Sequence, residues 1–479
     1  MEKIMSDVKI IGTNGSEIII NDSDVEAFKA EFRGRLLTAD DEGYDEARTI
    51  WNAMIDRRPA LIAQASANED VMLAVNFARD HGILFSVRGG GHNIAGNAVC
   101  EGGLMIDLSG MKSVQIDTEK RIANVGPGAL LGDFDREAQA HNLATPLGIN
   151  STTGVAGLTL GGGFGWLSRK YGMTVDNLLS ADVVTANGMT VRASESENAD
   201  LFWGIRGGGG NFGIVTNFEF QLYQFGPDVL TGLIVFPFDQ AKEVLGKYRE
   251  AVKSMPDELN VWVVMRKAPP LPFLPEEAHG KEAVILAIFY AGDPAEGEKL
   301  IEHMKNFGTP FGQFIGVQPY TAWQQAFDPL LTPGARNYWK SHNFAELSDG
   351  AIDTAIKYVS NLPSPHTEIF FGLIGGQASR VDADATAYSQ RDALWACNVH
   401  GRWETPEEDR EGIAWARAFF DAAAPFATGG VYVNFMPEDE TERISKAYAP
   451  NVWKRLVELK DKWDPSNLFR MNQNVRPSN

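Results

Sequence analysis

With 479 residues, 44% of them hydrophobic, the chain exceeds the length at which one core usually stops growing, so more than one domain is expected. Its 63 acidic residues against 43 basic ones give a net charge of −20, which excludes nucleic-acid backbones and anionic membrane surfaces as partners. Two cysteines, Cys100 and Cys397, exclude a disulfide framework, and no spacing of Cys or His suits a metal.

The amino terminus, residues 1–8, carries an early acid and no apolar core, so it does not read as a signal peptide. No later run is apolar for long enough to span a bilayer, and a cytoplasmic protein is expected. Residues 17–20 read as a strand. A helix is predicted over 66–81, started by a capping box of Ser66 and Glu69, with Val71, Val75 and Ala78 on its apolar face and Gly82 as a left-handed stop. A strand over 83–87 then runs into Arg88-Gly89-Gly90-Gly91-His92-Asn93. Consecutive glycines let backbone N–H groups converge on an anion, so this loop can cradle phosphate oxygens with an imidazole at its lip.

A strand at 104–108 follows, then one ending at Gly126-Pro127-Gly128, then a helix with Leu131, Phe134 and Ala138 inward. Residues 146–167 are so rich in glycine and hydroxyl side chains that they read as backbone pressed against a ligand, without an ordinary packed element. A third glycine cluster, 207–210, precedes a strand over 214–222. From about residue 225 glycines thin out and strand-like runs appear at 233–236, 261–265, 284–290 and 368–374. Asp293-Pro294 and Thr405-Pro406 start helices between them. An antiparallel or mixed sheet with helices on one face is predicted. Residues 431–435 read as a strand, 451–462 as a helix, and the tail Asn472-Gln473-Asn474 offers donors and acceptors suited to a heterocycle.

Taken together, V-R-G-G-G-H-N at 87–93, G-V-A-G-L-T-L-G-G-G-F-G-W at 154–166, Y-G-M-T-V-D-N at 171–177, the run at 201–216, Y-V-N-F at 432–435 and N-Q-N at 472–474 resemble the berberine-bridge-enzyme-like FAD-linked oxidases, in their bacterial branch. The resemblance covers residue 50 to the end. It implies an α+β fold: a vanillyl-alcohol-oxidase type FAD domain over 1–225 (core 50–225), a substrate domain with a helix-covered antiparallel sheet over 226–430, and a segment returning to the FAD domain over 431–479.

The resemblance further implies that Arg88, Gly89, Gly90, Gly91 and Asn93 hold the FAD pyrophosphate and that His92 bonds covalently to the flavin 8α carbon. Gly157, Gly161, Gly162, Gly165, Trp166 and Asn177 would line the adenine-to-ribityl path, Ile214 and Val215 the adenine end, and Asn472 and Asn474 the ring. Thr153 matches the position that affects oxygen access in relatives. The implied reaction is hydride transfer from a small organic substrate (amine, alcohol, sugar or aromatic natural product) to flavin, with O2 reduced to H2O2. A homodimer is compatible with it.

Three departures qualify these implications. Many members attach the flavin a second time through a cysteine; the matching residue is Asn150, so His92 should be the only tether. The tyrosine that serves plant members as base is Phe435, and on a strand Tyr432 would face the opposite side. A histidine common in relatives is Gln390. Candidates for catalysis are therefore Tyr338, Glu368 and Asn434, with His366 as a further option, while Trp323, Trp339, Trp395 and Trp403 read more as core than as substrate platform, with one or two left open to face the flavin, and Lys340 reads as surface. Open alternatives are a dehydrogenase using another acceptor, a flavin-bearing protein that sequesters a redox-active compound, and a nucleotide-binding protein without redox chemistry.

Overall fold

A computed structural model describes residues 7–478; most of the amino-terminal stretch read against a signal peptide lies outside the described residues. Leu61–Gln64, Leu104–Asp107 and Phe85–Arg88 form a parallel core with Arg35–Leu37 antiparallel at its edge. Leu61, Ile62, Ala63, Leu104, Met105, Ile106 and Phe85 are buried, the consecutive apolar residues of strands covered on both faces, and the polar residues Gln64, Arg88 and Asp107 fall at the strand ends. The helix Asn68–Asp80 carries the predicted face but not the predicted cap. Ser66 gives both its N–H and its hydroxyl to Asp70 (2.8 and 2.7 Å), while Glu69 faces Arg33 at 3.5 Å. Gly82 ends the helix with φ +65°.

A second sheet of five antiparallel strands follows, in the order Thr190–Ser194, Leu178–Val184, Ile214–Gln221, Ile122–Val125, Val114–Asp117. The helix Leu131–Gln139 buries Leu131, Phe134 and Ala138, as its periodicity predicts. The glycine-rich run over 146–167 departs from the expectation: Val155–Leu160 is a helix in its middle.

At Asp228 the chain enters a sheet of seven antiparallel strands, ordered Gly312–Pro319, Asp228–Pro237, Glu282–Tyr290, Leu259–Lys267, Glu368–Leu373, Trp395–Trp403, Arg336–Phe344. Helices Ala241–Val252, Asp349–Val359 and Asp409–Ala423 pack together against it. Asp293 caps Pro294–Ile301 by accepting from the N–H groups of Ala295 and Glu296, and Thr405 closes a capping box with Glu408 ahead of Asp409–Ala423. The final helix, Pro450–Trp463, packs on Ala199–Ile205, and Asn472 Nδ2 donates to Gly210 O at 3.1 Å.

The predicted strand at 431–435 is a correction. Val433–Phe435 is a single 3-10 turn, closed by Phe435 N–H donating to Tyr432 O at 3.0 Å. Residues three apart then lie on one side, so Tyr432 and Phe435 pack edge to face with ring centroids 4.8 Å apart. Among the described residues no helix is long and apolar enough to cross a membrane. No group of three or more His, Cys, Asp or Glu among them could hold a metal, and both cysteines are buried and free.

Candidate active site

A cavity of about 490 Å³ lies between the glycine-rich loops and the seven-stranded sheet. One wall is almost bare backbone. Gly89, Gly90 and Gly91 line it, and Gly91 takes φ +71°, which L side chains resist. A Cβ at Gly90 would lie 2.4 Å from both N and Cα of Gly154, so these two loops touch through backbone alone. Gly157 differs: a Cβ there would meet no atom within 4 Å and would project into the cavity. Because glycine inside a helix costs about 1 kcal/mol relative to alanine, Val155–Leu160 gives up local stability to keep this wall bare.

His92, Asn93, Thr153, Gly161, Trp166, Ile214, Val215 and Asn472 complete the cofactor candidates that face the cavity. Five others do not. The Arg88 guanidinium turns away to donate to Ala47 O. Gly162 lies beneath Tyr388, and Gly165 donates its N–H to Ser168 Oγ at 2.9 Å. Asn177 is buried in a structural network, donating to Tyr171 O and Met173 O and accepting from Tyr223 Oη at 2.7 Å. Asn474 lies outside the lining, its Oδ1 buried without a partner among the described residues.

His92 sits at the junction of the two walls. Trp51 stacks on its ring at 5.1 Å, held by donating Nε1–H to Leu331 O at 2.8 Å. Burial pushes the imidazole down to about 3, so it is neutral at physiological pH. Asn150, at the cysteine position, also lines the cavity.

The opposite wall is built from side chains. Arg266 faces Glu368, Glu368 faces His400 and His400 faces Trp339 in register across four adjacent strands. Directly opposed residues share a face, so one row crosses the sheet and looks into the cavity. Arg266 Nη1 donates to Glu368 Oε2 at 2.6 Å. Burial would raise the Glu368 carboxyl, but Arg266, His400 and Arg402 hold it down at about 2. The same burial lowers His400, with Glu368 opposing.

Proton counting defines the pair further. Asn337 Nδ2 donates to Ala335 O (2.8 Å) and Arg402 Nη1 donates to Asn337 Oδ1 (3.1 Å), which fixes that oxygen as an acceptor. His400 thus faces acceptors on both sides, Glu368 Oε1 at Nδ1 and Asn337 Oδ1 at Nε2, each at 3.3 Å. Both contacts are hydrogen bonds only if Glu368 and His400 together hold one proton beyond carboxylate plus neutral imidazole.

Of the catalytic candidates, Glu368 and Asn434 therefore face the cavity and Tyr338 does not. Tyr338 precedes Trp339 on its strand and points to the helix-covered face, donating to Asp439 Oδ2 (2.8 Å) and accepting from Arg417 Nε (3.1 Å). His366 faces Glu404 outside the cavity, Gln390 donates to Ala447 O, and Lys340 is buried against Glu440 at 2.6 Å rather than exposed. Trp323, Trp395 and Trp403 are core, whereas Trp339 is cavity wall. Asn434 donates to Leu158 O (3.2 Å) and to Tyr432 Oη (3.0 Å), which also accepts from Gly163 N–H (3.0 Å). Burial pushes the Tyr432 phenol up to about 12. Trp51, Arg266 and His400 line the cavity although no motif points to them, and Tyr432, which strand alternation places opposite Phe435, lines it beside Phe435.

Sequence profiles described as "FAD binding domain" and "Berberine and berberine like" match residues 59–194 and 431–476. The chain is 32% identical to (R)-6-hydroxynicotine oxidase of Paenarthrobacter nicotinovorans over 467 residues, covering 93% of this chain and 97% of that protein. It is 30% identical to glucooligosaccharide oxidase of Sarocladium strictum over 472 residues, covering 91% of each. The crystal structure of 6-hydroxy-D-nicotine oxidase from Arthrobacter nicotinovorans superposes with a TM-score of 0.84 at 29% identity, over 93% of this chain and 98% of that one. A glucooligosaccharide oxidase from Acremonium strictum, described as carrying 6-S-cysteinyl, 8α-N1-histidyl FAD, superposes with a TM-score of 0.84 at 26% identity, over 95% and 99%. The bare wall, whose glycines leave room for a long flat cofactor, and these matches agree: the chain belongs to the berberine-like family of FAD-linked oxidoreductases.

Proposed function

We propose that the protein is an oxidase that removes hydride from a small ring-bearing alcohol, phenol or amine and passes the electrons to dioxygen, forming hydrogen peroxide. The observation that carries this reading is the arrangement of one cavity: bare glycine wall, buried neutral His92 at its edge, and the Arg266–Glu368–His400 row across from them. When bound, FAD supplies the two-electron acceptor. Gly89 to Gly91, Gly157, Ile214, Val215 and Asn472 would hold it, and His92 would be its only covalent tether because Asn150 has no thiol.

On the opposite wall, Phe370, Trp262 and Phe435 offer apolar faces for a ring. Arg266 Nη2 makes no hydrogen bond among the described residues and can donate to a substrate oxygen. With Glu368 ionised and His400 neutral, the pair would take up a proton as the substrate is oxidised and return it afterwards. This pair takes the place that Phe435 cannot fill.

Acid precipitation of the purified protein tests the attachment: flavin stays in the pellet of the wild type and leaves it in His92→Ala. Anaerobic mixing with candidate phenols, alcohols and amines should bleach the flavin, and air should restore it within the turnover time. Slow reoxidation by air would assign a dehydrogenase with another acceptor instead.

A further inference from the structure

The seven-stranded sheet ends differently at its two edges. Arg336–Phe344 is largely buried and covered: Asn343 N–H donates to Gly430 O (3.3 Å) and Thr428 N–H donates to Asn343 O (2.9 Å), so a segment of chain lies along it. The other edge, Gly312–Pro319, has its one ladder with Asp228–Pro237, and every second residue along it turns N–H and C=O outward. Proteins blunt such edges with charge, proline or cover. Here no charged residue occurs from Asn306 to Phe327, in a chain that is 22% charged, and the strand's one proline is its last residue. Phe314 and Val317 are 50% and 51% exposed, two of the six large apolar side chains left exposed among the described residues. Phe314 opposes Leu233, which lines the cavity, and Val317 opposes Leu230, so the two project on opposite faces of the sheet. Phe314 is held by stacking on Phe273 at 6.2 Å.

We propose that this edge is where a second copy of the chain adds its own Gly312–Pro319, antiparallel and across a twofold axis, so that the two sheets run on into one. Self-matching and charge select this occupant. A twofold axis normal to the sheet keeps each face continuous, which requires one residue to oppose itself. With Ile315 opposite its own copy, Phe314 of each chain opposes Gly316 of the other. A Cβ at Gly316 would meet only the tip of Phe314, at 3.9 Å, so room remains there for a ring. Gln313 opposes the other chain's Val317 and covers it with its methylenes, and the two Phe314 rings become diagonal neighbours on one face. Each chain carries a net charge of −20, so an acidic edge would repel its copy, whereas a neutral one closes without that cost. A basic partner would be drawn to the acidic surface elsewhere and not to this strand.

The flavin-loaded, full-length protein is followed by sedimentation velocity from about 1 µM to about 100 µM, the range in which an interface of one strand pair, small beside those of stable complexes, should dissociate. The wild type should pass from monomer toward dimer. Phe314→Lys, which sets two cations beside each other across the axis, and Val317→Lys should each weaken association at least about tenfold. An equimolar mixture of Phe314→Lys and Phe314→Glu should recover it. Both side chains are half exposed, and unchanged flavin absorbance and melting temperature show that the variants fold. A second measurement needs no variant: amide hydrogen exchange over residues 312–319 of the wild type should slow as concentration rises through the same range. A wild type that stays monomeric at the highest concentration would overturn the proposal. So would a dimer that both lysine variants leave intact, or one whose formation leaves exchange at 312–319 unchanged, because the contact would then lie elsewhere.

Discussion

The two walls of the cavity solve recognition in opposite ways. The glycine wall is drawn from a few short glycine-rich runs, at 89–91, 154–161 and 208–213, and is made largely of backbone, which leaves space. The sheet wall takes one side chain from each of four strands, Arg266, Trp339, Glu368 and His400, and its function depends on charge and register. Geometry governs the first and chemistry the second. Substitutions on the first wall should therefore abolish cofactor binding whatever their polarity, while those on the second should leave the flavin in place and stop its reduction.

The largest effect is expected at Gly90. Alanine there would press its Cβ to 2.4 Å from the Gly154 backbone, which has no side chain to move aside. Gly90→Ala should be purified without flavin, read from the ratio of visible to ultraviolet absorbance. Gly157→Val gives the sharper comparison, because a Cβ at this lining position meets no protein atom within 4 Å. It should lose flavin while unfolding at nearly the wild-type temperature. Retention of flavin by both variants would mean that the bare wall has another purpose.

Next comes Glu368→Gln. Flavin content should be unchanged, and the anaerobic reduction rate should fall by roughly 10²–10⁴-fold, the range for a lost acid–base group. Arg266 and Arg402 would also lose their anionic partner, a change that typically costs about 3–5 kcal/mol when the pair is buried. Because the folded carboxyl titrates at about 2 against an ordinary value of 4.5, its stabilisation is full above pH 4.5 and disappears as pH falls toward 2. The stability gap between wild type and Glu368→Gln should accordingly narrow on acidification from pH 5 to pH 2, followed by denaturant unfolding. A gap independent of pH would show that the carboxylate is not held by the cations around it.

How much of each wall was legible follows from the same contrast. The glycine loops announce themselves because local composition is the signal. Even there, the helix Val155–Leu160 was missed: glycine and threonine argue against helix, and tertiary packing of Val155, Ala156 and Thr159 overrides them. On the sheet wall Glu368 was found, but Tyr338 was chosen over Trp339, its neighbour on the other face. One residue of phase decides which side chain faces the cavity, and sequence alone left that phase open. The strand-like Val431-Tyr432-Val433-Asn434-Phe435 misled for a similar reason. Its β-branched and aromatic residues fit a strand, yet the bonds of Gly163 N–H and Asn434 Nδ2 to Tyr432 Oη belong to a turn, and that turn puts Tyr432 beside Phe435.

A smaller effect tests the seam between the walls. Asp135, on the helix Leu131–Gln139, accepts from Gln324 Nε2 of the substrate-side segment at 3.0 Å, and burial raises its carboxyl from 3.8 to about 7. A raised acid holds its proton in the folded state, so folding loses stability as pH rises from about 4 to 7. Asp135→Asn removes that titration while keeping the shape. Its melting temperature relative to the wild type should rise between pH 5 and pH 8 and level off above; a constant difference would mean that Asp135 is ionised throughout.

The smallest effect should come from Tyr338→Phe, which asks whether the sheet wall has a single working face. The Tyr338 hydroxyl lies with Asp439 and Arg417 on the helix-covered side, and those two remain within reach of each other when it is removed. Loss of the hydroxyl's two hydrogen bonds, to Asp439 and from Arg417, in a partly exposed cluster whose two charged partners stay paired should cost about 1–2 kcal/mol of stability. Flavin content and the anaerobic reduction rate should both match the wild type. Trp339→Leu, one residue along the strand, removes the ring that packs edge to face with His400 at 4.8 Å and with Trp51 at 5.5 Å, and should slow reduction while leaving the Asp439–Arg417 cluster untouched. A tenfold slower reduction in Tyr338→Phe would reverse the assignment of faces, because alternation along Arg336–Phe344 does not permit Tyr338 and Trp339 to reach the cavity together.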